Sequence, residues 1–348
     1  MGALLSLLVF YYCAVPFSLA YGIIILSRGE ALFVKTGYLY IAIAVVMFSS
    51  FEVVLKFIAG ELNPVQLTFA RFVIGFLFLL PLALHTLRKR KKRLDTKTLA
   101  YFALLGFTGI SLSMTILHLA VEYTSSSVTA VLFSCNPVFV TFLAFFLLHE
   151  PIKKRHVAAL IFEIIGTLAI INPFHSNLNM LGVSLALLST LLFSLYGVMG
   201  KRKCAEYGGV VVTCFSFLFG SLIVLLFIVL SHIPAVAAAI TSAGLPNFAN
   251  IPILAGYTIE NLPYVLYVSA GVAGIGFCSY FLAMEYQPAS VVSLVYFFKP
   301  ALSPILAWWL HREDIPGNML LGILLIVVGS LCSIIPGILE AKRPTVSH

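Results

Sequence analysis

Ten apolar runs, each long enough to cross a bilayer as a helix, follow one another along this chain. They fall at 38–58, 65–87, 99–120, 126–148, 156–172, 181–200, 209–231, 263–284, 289–310 and 317–337. At 1.5 Å of rise per residue, about 20 residues cross a hydrocarbon core of roughly 30 Å. Inside that core the backbone must satisfy its own hydrogen bonds, which leaves helices and closed barrels. The two-residue alternation of a barrel is absent. Charged residues are 10% of the chain, against about 25% in soluble domains. The expected fold is all-α, a polytopic membrane helix bundle.

The net charge of +8 sits in short loops between the runs. Arg88–Arg93 with Lys97, the Lys153–Arg155 stretch, Lys201–Lys203 and Lys342-Arg343 fall on one side if ten spans alternate, while 173–180 and 232–262 carry no Lys or Arg. Such asymmetry sets orientation, so the basic side is read as cytoplasmic in a multi-pass cell-membrane protein with its C-terminus inside. Only Arg312, beside Glu313 and Asp314, goes against the bias. The same placement argues for a lipid bilayer and against nucleic acid as the partner. Residues 1–27 form an eleventh apolar run without a positive start or a clear cleavage site. It reads first as an extra transmembrane helix, and otherwise as an extension upstream of the functional start. The six cysteines are scattered without CxxC spacing, and the histidines form no HxxxH or HExxH pattern. No metal or cofactor is expected.

The chain also repeats itself. Residues 126–173 align without gaps to 289–336, setting Asn136-Pro137 opposite Lys299-Pro300, Glu150 opposite Glu313 and Gly166 opposite Gly329. The same offset sets Glu122-Tyr123 opposite Glu285-Tyr286. Earlier, Phe48-Ser49, Lys56, Thr68 and Gly75 stand opposite Phe193-Ser194, Lys201, Thr213 and Gly220. Each repeat holds five spans. An odd number inserts the second copy upside down, the arrangement that gives secondary carriers alternating access. The organisation expected is an N-terminal apolar segment (1–36), a first repeat (37–173), a second (181–337) and a cytoplasmic tail (338–348).

The run Asn136-Pro-Val-Phe-Val-Thr-Phe-Leu-Ala-Phe-Phe-Leu-Leu-His-Glu150, with Gly166 and Pro173, resembles the fourth and fifth helices of the EamA-type drug/metabolite transporters. Lys299-Pro-Ala-Leu-Ser-Pro-Ile-Leu-Ala-Trp-Trp-Leu-His-Arg-Glu313 resembles their ninth. The resemblance covers about 37–337. It implies a ten-helix bundle of two inverted five-helix repeats. It further implies a central cavity walled by helices 1–4 and 6–9, with helices 5 and 10 outside. It implies no particular substrate. The segment 1–36 and the loop 232–262 depart from the pattern.

Five ionisable side chains fall inside spans: Glu52, Lys56, Arg71, Glu163 and Lys299. A charge at mid-bilayer costs roughly 2.5–3.5 kcal/mol unless it faces a partner or water. Lys299 lies mid-span beside Pro300, which removes a backbone donor, and is the leading candidate for holding an anionic or polar solute. The plain alternative is a lysine bonded to carbonyls freed by the proline. Asn136 before Pro137 would be its neutral counterpart across the cavity, with Pro137 and Pro300 as helix breaks. Tyr196, Tyr280 and Tyr296 are the candidate stacking and hydrogen-bonding groups, or else packing. Glu52 and Arg71 lie at similar depth on helices 1 and 2 and are expected to pair, as a gate, a proton-coupled carboxylate or a structural lock. Lys56 reads as a snorkelling side chain, and Glu163 as a contact with a neighbouring helix or an oligomer contact, with Lys299 at similar depth as the alternative partner.

No GxxxxGK[ST], GxSxG or HExxH motif is present, which argues against an ATP-driven pump subunit and a hydrolase. The expected function is a secondary active transporter for a small polar or anionic metabolite (amino acid, sugar, nucleotide-like or drug), by export or exchange, with the proton as candidate coupling ion. The alternatives are an uptake carrier, and from other classes a membrane-embedded enzyme or a lipid-handling protein. Oligomeric state is not legible.

Overall fold

The computed structural model describes residues 30–124, 126–152, 154–171, 179–312 and 317–341. All regular structure in them is helical. The bundle helices are α1 (Glu30–Leu55), α2 (Pro64–Arg90), α3 (Thr96–Tyr123), α4 (Ser126–Ser134 and Asn136–Leu148) and α5 (Lys154–Ile171). The second half supplies α6 (Met180–Tyr207), α7 (Gly209–Leu230), α8 (Leu262–Tyr286), α9 (Ala289–Val292 and Val295–His311) and α10 (Gly317–Ala341). Among the described residues, eight helices are long and apolar enough to cross a membrane. For α5 and α10 the apolar stretches are shorter, Val157–Ile170 and Gly317–Gly329. The run 1–27 lies outside the described residues, as do Glu313 and the side chain of Glu163.

Local chemistry fixes the helix ends. Asn63 caps α2 by accepting from the Val65 amide at 2.9 Å, and Pro64 takes the first position, where a missing N–H costs nothing. The helix stops at Lys91, in left-handed backbone with φ 52°, after Arg88, Lys89 and Arg90, whose cations suit a helix C-terminus.

The two repeats interlock and run in opposite senses. α1 packs against α8 and α9, and α6 packs against α3 and α4; exchanging the repeats turns one set into the other. α2 packs against α7, and α5 against α10. The register that sets Thr68 opposite Thr213 sets Phe72 opposite Phe217, and these two rings meet with centroids 4.8 Å apart. A Cβ on Gly166 would stand 2.8 Å from the Gly322 carbonyl, and one on Gly329 would stand 3.1 Å from that of Ala159. Alignment places 159 opposite 322 and 166 opposite 329, so the two contacts are images of each other. Phe72 thus meets its own equivalent, and the two glycine contacts map onto each other, as a two-fold relation requires.

Both α3 and α8 contain a π-helical stretch, Gly106–Leu112 and Tyr267–Phe277. The widened turn brings glycine faces onto the other repeat. A Cβ on Gly106 would lie 2.5 Å from the Gly220 amide nitrogen of α7, and one on Gly274 would lie 2.7 Å from the Phe78 ring of α2.

The basic loops gather at one end. Arg90 forms an ion pair with Glu285 and donates to the Ala205 carbonyl at 3.0 Å. Lys92 meets Glu206 at 3.1 Å and Lys201 meets Glu150 at 3.5 Å. At the opposite end, the 232–262 segment folds over the mouth of helices 1–3. Gln66 donates to the carbonyls of Ile253 and Ala255 at 3.2 and 2.7 Å. Asn261 donates to Glu61 at 2.8 Å, and Asn247 to Glu122 at 2.9 Å. The departure from the expected repeat pattern is therefore an ordered cover, including a short helix, Pro234–Ser242.

Candidate functional site

Lys299 on α9 forms an ion pair with Glu52 on α1, joining the second repeat to the first. Its ammonium also lies 5.8 Å from the ring centroid of Phe133 on α4. The lysine side chain is 12% exposed and the glutamate 32%, so the pair sits at the edge of the buried core. The Ser303 hydroxyl donates to the Ser49 carbonyl at 2.6 Å, one turn along each of the same two helices.

Glu52 therefore takes Lys299, where Arg71 was the expected partner. Arg71 is directed into an aromatic slot instead. Its guanidinium carbon stands 4.6 Å from the ring centroids of both Phe51 and Phe72. Nη2 reaches the Met114 sulfur at 3.8 Å. Residue counts along the two helices did not fix their rotation. Glu52 lies on the α1 face that meets α9, and residue counting carries no information about that face.

The helix break expected at Pro300 also needs correction. In α4 the break is at Cys135, immediately before Asn136-Pro137. In α9 it is at Ser293-Leu294, and the helix runs on through Pro300. The chain tightens there instead, with the Tyr296 and Phe297 amides bonding only three residues back, at 2.9 and 3.0 Å.

Asn136 is fully buried and donates to the Ser194 hydroxyl at 2.7 Å. Ser194 stands opposite Ser49 in the repeat, so this is the neutral image of the Lys299 side. Gly197 stands opposite Glu52, and the Tyr280 hydroxyl occupies the space beside it, 2.9 Å from where a Cβ would be. One half of the centre is thus charged and the other holds amide and hydroxyl groups. Tyr196 bonds Ser216 at 3.0 Å. Tyr280 and Tyr296 stack edge to face at 5.8 Å. In this conformation Tyr196, Tyr280 and Tyr296 are packed core side chains.

Among the described residues, five polar side-chain atoms in this region are buried without a hydrogen-bond partner: Ser49 Oγ, Glu52 Oε2, Arg71 Nε, Asn136 Oδ1 and the Tyr280 hydroxyl. Buried polar groups are nearly always satisfied, so such a concentration sets this region apart from the rest of the described core. The residues singled out from sequence converge here because each interrupts an apolar span. Sequence reasoning missed Ser194 and Ser49, common residues in membrane helices, although their repeat equivalence was visible.

The same duplicated frame is found in known proteins. Residues 35–172 and 180–335 each match the model of the EamA-like transporter family. The chain belongs to that family. An uncharacterized transporter of Clostridium kluyveri is 32% identical over 305 residues, covering 85% of this chain and 92% of the relative. The uncharacterized transporter YetK of Bacillus subtilis is 24% identical and covers 88% of each chain. A solved crystal structure at 19% identity superposes with a TM-score of 0.67 over 89% of this chain and 99% of its own, which supports the fold. This member of the EamA-like family is thus a multi-pass membrane transporter for a small molecule, not an enzyme.

Proposed function

We propose that this EamA-like protein is a secondary active transporter of a small polar or anionic metabolite, working by export or exchange in the cytoplasmic membrane. Its basic end faces the cytoplasm, where Lys and Arg loops are retained. The observation that carries the reading is the set of unpartnered polar atoms around Glu52, Arg71, Asn136 and Tyr280, between two interlocked inverted repeats. The Lys299–Glu52 pair crosses from one repeat to the other. It makes and breaks as the repeats rock.

Counterflow in proteoliposomes against a metabolite panel, with and without a pH gradient, tests this. Saturable exchange of at least one panel member is expected, and Lys299→Met should reduce it to background while the protein stays folded. Lys299→Arg, which trades a point charge for a planar fork, should be partly active. Wild-type exchange by Lys299→Met would remove the pair from the transport cycle. A lipid-handling role would appear instead as headgroup exchange without counterflow.

A further inference from the structure

Arg71 stands apart from the other buried cations of this molecule. It is 6% exposed, yet among the described residues it forms no ion pair. Its guanidinium touches two rings and a thioether, and Nε donates to nothing among the described residues. Glu52 is the carboxylate whose field reaches it, and Glu52 is held by Lys299. Among the described residues, two cations and one carboxylate leave this centre with an uncompensated positive charge. In a membrane interior such a charge calls for an anion. The guanidinium edge is a planar donor pair suited to carboxylate oxygens, and the Phe51 and Phe72 faces hold it in one plane.

We propose that Arg71, rather than Lys299, anchors the carboxylate of a small organic monoanion. Resting on the transport reading above, this names the solute class at the same site. Glu52 Oε2, buried and accepting nothing, takes a hydrogen-bond donor on the same solute. The flanking rings take its apolar part. The ligand is a small carboxylate bearing one donor, with a single net negative charge that neutralises the centre. A zwitterion of net zero charge leaves the positive charge in place and binds more weakly.

The test uses the full chain in nanodiscs, titrated with lactate, with alanine as the zwitterion and lactamide as the uncharged isostere, at constant ionic strength. The unfolding temperature is the readout. Lactate should raise it, alanine less so, and lactamide not at all. Arg71→Gln should weaken lactate by roughly thirtyfold or more, as truncating one partner of a buried charge pair does. Arg71→Lys keeps the charge without the fork and should be intermediate. Lys299→Met also removes one positive charge but leaves the fork, so it should weaken lactate, and by less than Arg71→Gln does. Without ligand, Arg71→Gln should unfold no lower than the wild type, because it removes an unpaired buried charge. A marked drop, or failure to fold, would make Arg71 a structural residue and overturn the proposal. So would a wild type indifferent to lactate, or a response kept by Arg71→Gln and lost in Lys299→Met. Counterflow separates the two readings: exchange of neutral solutes with no lactate response sinks the anchor and leaves the transporter standing.

Discussion

At the scale of single residues, the exchange of partners at Glu52 is the main lesson. Five charges interrupt the apolar spans, and that alone picked out Glu52, Arg71 and Lys299 from the sequence. Which of them touch was not legible, because i to i+4 spacing gives a face only relative to the helix itself. The partnership has a direct check. Removing either member of a buried ion pair strands the other, at a typical cost of about 3–5 kcal/mol. Glu52→Gln and Lys299→Met should each lower stability towards denaturant, and the double substitution should recover most of the loss. A double variant no more stable than the worse single one would show that the pair is not coupled. Glu52→Gln with Arg71→Gln should show less recovery, since Lys299 stays stranded.

At the scale of elements, the glycines decide how closely helices approach. Ten runs and their order could be read from hydropathy, because the spans are long and the loops short. The π-helical stretches in α3 and α8, and the break at Ser293-Leu294, could not, since no residue type marks them as Pro marks a kink. Their consequence is testable at Gly106. An added methyl there meets the Gly220 amide nitrogen at 2.5 Å and the Ser216 carbonyl at 2.6 Å. Neither can rotate away, so α3 and α7 must separate. Gly106→Ala should destabilise by about 1–3 kcal/mol, in the range of overpacked cores. Gly317→Ala, with nothing within 4 Å of its Cβ, is the matched control and should be neutral or slightly stabilising. Equal thermal unfolding of the two variants would mean that this helix contact is not tight in the membrane.

At the scale of the whole molecule, the basic end is latched and the latch is made of residues that the repeat duplicates. Glu150, at the end of α4, accepts from the Ala289 amide at 2.8 Å and from the Ser290 amide and hydroxyl at 3.3 and 3.0 Å. It thereby caps α9, whose exposed amides favour a carboxylate. Lys201 meets the same carboxylate at 3.5 Å and donates to the Gln287 and Met284 carbonyls. Exchanging the repeats carries Glu150 onto Glu313, Lys201 onto Lys56 and Ser290 onto Ser127. The residue types of this latch therefore recur at the equivalent positions of the other repeat. A carrier built from inverted repeats alternates by opening one end as the other closes. Each latch then sets the balance between the two states, and a loss of about 1.4 kcal/mol from one shifts their ratio tenfold. Glu150→Gln should favour the state open at the basic end. In a background lacking the native cysteines, Ser290→Cys should then react faster with an impermeant maleimide applied from that side. Glu313→Gln should slow the same reaction, and the two substitutions together should return it towards the parent rate. If both single substitutions accelerate labelling, the two carboxylates do not belong to opposed latches and the exchange of ends must rest on other contacts.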